Sequence, residues 1–205
     1  MASPIRTLQG VVLSREESGE GSLRIRVFSS DEGLVLVYKR LASKRASGSL
    51  PDLFDEVELR LSRPRTGSDS VSFVSEWRLL TRRPELARGQ SRLETASALS
   101  LLYQRNGAHL AEPAPAAKLL ADALDSLVAG YSPVAVYLKA LYRFARVEGF
   151  PVKEAWWQSL SLVQKQNAAE ILNVPLRDLV QEEYATEEIL ESLKLWLNAE
   201  TELRC

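Results

Sequence analysis

The densest run of chemistry-bearing residues is Tyr38-Lys39-Arg40-Leu41-Ala42-Ser43-Lys44-Arg45, which places four cations within seven positions. Cations this close, at the end of an alternating apolar stretch and entering a segment rich in Ser, Lys, Arg and Gly, suit contact with successive phosphates. Neutralising those phosphates releases condensed counterions. Arg24 and Arg26 join the cluster from the polar parity of a neighbouring stretch, and Phe28 and Tyr38 lie close by in sequence. Cations that follow a backbone, with aromatics on which bases stack, are the ingredients of sequence-tolerant single-strand sites. The same residues also make an ordinary solvated surface. Parity alone leaves Phe28 open as either an exposed platform or core.

A second constellation is Lys139, Arg143 and Arg146, spaced i, i+4 and i+7 along one helix face. Around them stand Val134, Val136, Leu138, Leu141, Phe144 and Val147. A basic stripe bordering apolar residues can receive an acidic, hydrophobic peptide; it can equally be the only solvent-facing side of the helix. Elsewhere the chemistry thins out. The chain has one histidine, His109, and one cysteine, Cys205, too few for a structural zinc site, a His-based triad or a Cys–His dyad. It contains neither G-x-x-x-x-G-K-[ST] nor G-x-G-x-x-G, so phosphate-loop hydrolysis and dinucleotide chemistry lack support. We expect a protein that is not an enzyme, with no metal and no cofactor.

The elements that must position these residues follow from patterning. In the 205 residues, 45% are apolar and 26% charged, an ordinary globular balance. The net charge of −1 hides an asymmetry: cations outnumber carboxylates over 1–83 and the reverse holds over 84–205. The first part reads as five strands, at about 6–14, 22–29, 33–39, 53–62 and 71–80. Leu23, Ile25 and Val27 alternate with Arg24, Arg26 and Phe28, and Val57, Leu59 and Leu61 with Glu58 and Arg60, so each strand has one buried and one wet face. Five such strands match the count of an OB-fold barrel.

After Pro84 the period becomes helical. Ser91 through Glu94 has capping-box spacing, and Pro113 and Pro115 read as a loop. Helices then follow over about 119–128, from Ser132-Pro133 to Gly149, in pieces over 152–181 broken near Asn173 and Pro175, and from about 186 to 202. The expected fold class is α+β and multi-domain: a five-stranded OB-fold barrel over 1–83, then an α-helical bundle domain over 84–205. No apolar run approaches a membrane span, and no secretory signal opens the sequence. With a single cysteine, the expected location is cytoplasmic.

Val12-Leu13, Glu20, Ser22-Leu23, Val27-Phe28, Gly33 and Lys39 through Ser43-Lys44-Arg45 resemble the N-terminal OB domain of the RecO family of bacterial recombination mediators. Pro133 through Leu138-Lys139 to Gly149-Phe150 is similar to that family's core helix. The resemblance implies a protein that binds single- and double-stranded DNA and anneals strands coated with single-strand-binding protein (SSB). It further implies work with RecR to load RecA, without nucleotide, beside the nucleoid. Carried over, Lys39, Lys44 and Arg45 match the family's basic strand-and-loop positions, and Arg40 stands where the family has glycine. Arg24 and Arg26 are added from strand parity. Lys139 matches a basic position in the helix that receives the acidic tail of SSB, and Arg143 lies one turn further on. Where many members carry a four-cysteine zinc module, this chain has Pro151 through Trp157, so no zinc is expected. The alternative is an OB-helical interaction scaffold that has lost DNA binding.

Overall fold

The computed structural model describes residues 6–19, 21–41, 50–62, 72–108, 110–180 and 183–205. Among these residues five strands, β1 (Arg6–Glu17), β2 (Ser22–Ser29), β3 (Gly33–Arg40), β4 (Glu56–Ser62) and β5 (Ser72–Thr81), precede six α-helices. These are α1 (Gln90–Asn106), α2 (Pro113–Val128), α3 (Pro133–Val147), α4 (Trp157–Ser159), α5 (Leu162–Asn173) and α6 (Glu183–Glu200). The chain divides into two compact units, residues 1–83 with 107–117, and 84–106 with 118–205.

In the first unit the strands close into a barrel in the order β1-β2-β3-β5-β4, with β4 returning to β1. Every pairing is antiparallel except that of β3 with β5. The alternation read from the sequence holds: Leu23, Ile25 and Val27 of β2 and Val57, Leu59 and Leu61 of β4 fill the interior with Leu8, Val12, Val37 and Val74. Each aliphatic side chain so buried contributes roughly 1.5–3 kcal/mol. Phe28 has the outward parity of Arg24 and Arg26 yet is 1% exposed, so it is not an open platform.

One irregularity decides what the outer face carries. The β1–β2 register pairs Val12 with Val27 but Ser14 with Arg26, one residue being extra on β1. A one-residue insertion reverses side-chain parity beyond it. Ser14 and Glu16 therefore turn outward beside Arg26 and Arg24 instead of inward. On the core side of the shift, Gly10 has no room for a side chain: a Cβ there would lie 2.3 Å from the Phe28 carbonyl oxygen.

The second unit is built around α3, where Ala135, Val136, Leu138, Ala140, Leu141, Phe144 and Ala145 are all buried. A helix apolar on most sides belongs in the middle of a bundle. Tyr103 of α1 meets Phe144 edge to face with ring centroids 5.0 Å apart, and the Trp156 indole N–H donates to Ser192 Oγ on α6 at 3.2 Å. Ser132 caps α3 by accepting from the Ala135 N–H, with Pro133 at the first helical position. Gly149, at φ 81°, follows its C-terminus in the left-handed conformation that glycine adopts without strain.

Two local expectations are corrected. Helix α1 starts at Gln90, with the Leu93 N–H donating to the Gly89 carbonyl at 3.0 Å, so Ser91 lies inside the first turn rather than capping it. The reciprocal capping box belongs instead to Ser161 and Gln164 at the start of α5. Pro113 and Pro115 are not loop residues but the first turn of α2, where a missing N–H removes no helical hydrogen bond.

Gly10→Ala is expected to lower stability by about 1–3 kcal/mol, the usual cost of overpacking. The urea midpoint of the variant against the unaltered chain measures this, and an unchanged midpoint would mean β1 approaches β2 less closely.

Candidate nucleic-acid and peptide interfaces

On the outer face of the barrel a row of direct Cα partners crosses four strands: Glu16 opposite Arg24, Arg24 opposite Tyr38, and Tyr38 opposite Phe73. The neighbouring rows add Arg26 opposite Leu36 and Arg40 opposite Ser22. Tyr38 and Phe73 stand with ring centroids 6.0 Å apart, and the Arg40 guanidinium carbon lies 5.1 Å from the centre of the Phe73 ring. Both rings are half-buried and Arg40 is exposed.

The six barrel cations named from the sequence do not all share this face. Arg24, Arg26 and Arg40 do. Lys39 has the parity of its partner Leu23 and of Val37, both core residues, and its ammonium donates to the Val74 and Ser75 carbonyls at 3.4 and 3.3 Å. Lys44 and Arg45 lie outside the described residues, as does His109.

Glu16 also enters the site, and no motif marked it. Its carboxylate accepts from Arg24 through one oxygen and from Arg26 at 3.1 Å through the other. The Arg24 hydrogen bond and charge, with a smaller contribution from Arg26, hold this carboxyl below the usual carboxylate range. It therefore stays ionised throughout the neutral pH range and offsets one of the two arginine charges. Further round the barrel, Arg60 with Glu76 at 2.9 Å and Arg78 with Glu58 at 3.2 Å form a balanced cross-strand ladder that leaves no net charge for a ligand.

In the second unit, α2, α3 and the turn after α5 enclose a groove of about 300 Å³. Leu119 and Ala123 of α2, Val136 and Ala140 of α3, and Val174, Pro175 and Leu176 give it apolar walls, and Lys139 and Arg143 line it together. Asp122 and Ser126 stand on the α2 side, with Asp122 held by Lys118 at 2.7 Å. Lys139 is not on a solvent-facing stripe. It is 6% exposed, and its ammonium donates to the Val174 carbonyl, the C-cap of α5. Burial, followed by the charge of Arg143, pushes its pKa down. Arg143 is exposed. Arg146, third in the stripe, lies instead over the Tyr142 ring at 5.9 Å.

Phe73, Glu16 and the Val174–Leu176 wall were not visible from sequence spacing. Phe73 is distant from Tyr38 along the chain, and only the pairing of β3 with β5 joins them. Among the described residues no group of three or more His, Cys, Asp or Glu is arranged to hold a metal ion, and no helix is long and apolar enough to cross a membrane. No model of a known protein family matches this chain, and no curated protein matches it.

Lys139→Met should destabilise the fold by about 1–3 kcal/mol, since it removes a charged hydrogen bond from the α5 C-cap. Arg143→Met, at an exposed position one turn away, should stay within about 0.5 kcal/mol. Urea melts of the two variants compare them directly, and equal effects would mean that Lys139 is not structural.

Proposed function

We propose that the chain is a RecO-like recombination mediator: a non-enzymatic protein that binds single- and double-stranded DNA and promotes annealing of SSB-coated strands. With RecR it would assist RecA loading, in the cytoplasm and at the nucleoid, without metal or cofactor. The barrel is read as an OB-fold and the helical unit as a second domain. The observation that carries the reading is the outward face on which Arg24 stands opposite Tyr38, Arg40 lies over Phe73, and Arg26 stands in the next row. Such a face neutralises phosphates and lowers the repulsion between two strands brought together on it. Lys44 and Arg45 follow Arg40 closely in sequence and extend the run of cations.

The groove supplies the second half. Its apolar walls suit a hydrophobic side chain, and Arg143, backed by Lys139, suits a carboxylate. An acidic tail with an apolar end, as on SSB, has that chemistry. Binding there tethers the barrel to coated strands. The rival reading, a scaffold without DNA binding, draws on one observation: Glu16 neutralises part of the arginine face.

The two readings part on salt dependence. With about four phosphates engaged, log affinity for a short single strand should fall against log salt with a slope of roughly −3. Arg24→Glu combined with Arg40→Glu should flatten that slope and weaken binding at least about tenfold, whereas Glu16→Gln should tighten binding and steepen the slope. Fluorescence anisotropy across a salt series measures all three. A flat dependence in the unaltered chain would favour the scaffold.

A further inference from the structure

We infer that the outer barrel face carries a base-stacking platform, the Tyr38 and Phe73 rings with the Arg40 guanidinium over Phe73, which selects unpaired strands over duplex. This rests on the nucleic-acid reading of the same face and adds what that face recognises.

Phosphate contact alone asks only for cations, yet this face sets two aromatic rings among them. Tyr38 and Phe73 are direct partners across β3 and β5, their ring centroids 6.0 Å apart, tilted by 44°, and both remain partly exposed. Phe73 has no polar atom to satisfy in water, so its open area gains only from being covered. The guanidinium 5.1 Å from its centre is itself a planar surface, and a nucleobase stacks on an arginine plane as readily as on a ring. Arg24, the cross-strand partner of Tyr38, and Arg26 stand one strand away, where the phosphate attached to a stacked base would lie. Leu36, opposite Arg26 and 39% exposed, extends the apolar part of the surface.

The consequence is selectivity by strand state. Bases in a duplex have both faces covered by their neighbours, and withdrawing one costs unstacking and unpairing. An unpaired strand presents those faces free. Stacking is tolerant of sequence because every base has a π-face, so the platform discriminates between single strands and duplex without reading a code.

The experiment compares a short oligothymidylate with an abasic strand of the same length and charge, by anisotropy on the full chain. Stacking predicts that the unaltered protein binds the thymidylate about 5- to 150-fold more tightly. The two strands should share one salt slope, and a duplex of equal length should bind more weakly than the thymidylate. Phe73→Leu and Tyr38→Leu, which keep apolar volume but remove a π-face, should each narrow the gap without changing that slope. Equal affinity for thymidylate and abasic strand overturns the platform while leaving phosphate binding in place. Failure to bind either overturns both. The comparison in the unaltered chain decides the matter even if a variant does not fold.

Discussion

Among the described residues two pairs, Val37 with Ser72 and Tyr38 with Phe73, join β3 to β5 in parallel and so close the barrel. Sheet closure is first a solution to exposed edges, since it leaves no unpaired row of N–H and C=O groups. Here it also determines the surface chemistry. Closure brings Phe73 of the fifth strand into register with Tyr38 and under Arg40. The extra residue near Leu13 acts in the same way at the other end of the row. By reversing the parity of β1 it delivers Glu16 to Arg24 and Arg26, so a partial negative counterweight is built into the cationic face.

The helical unit shows a comparable link between packing and surface. Because α3 is apolar on most sides, a polar residue buried on it needs a partner from a neighbouring element. Lys139 finds one where α5 ends. Its aliphatic stem packs in the bundle and its ammonium stabilises the end of α5 at Val174. That contact also forms one wall of the groove, so the residue shapes the pocket and contributes charge to it. Arg143, one turn further along, is left to meet solvent or a ligand.

Periodicity made most of the fold readable in advance. Strict alternation in β2 and β4 identified the core faces, and Ser132-Pro133 with Gly149 bounded α3. The expectations that failed were local ones with competing physical explanations. Proline signals both a loop and a helical first turn, and at 113 and 115 the helix won. The Ser91–Glu94 spacing matched a capping box, but the helix had already begun one residue earlier. For the candidate sites, the identity of the cations was readable and their grouping was not. Lys39 and Arg40 are adjacent in sequence, yet strand parity sends one toward β5 carbonyls and the other toward Phe73. Phe28 has the parity of a surface residue and is buried. Pairing between distant strands, which a linear pattern does not encode, made those differences.

In the proposed function, the arginine–aromatic face of the barrel and the α2–α3 groove act together on SSB-coated strands. The most direct measurement is the annealing rate of complementary oligonucleotides coated with intact SSB, against the same strands coated with SSB lacking its C-terminal tail. The chain should accelerate annealing of the first and leave the second near its unassisted rate. Acceleration that ignores the tail would remove the groove from the mechanism, and no acceleration in either case would overturn the annealing role of both surfaces.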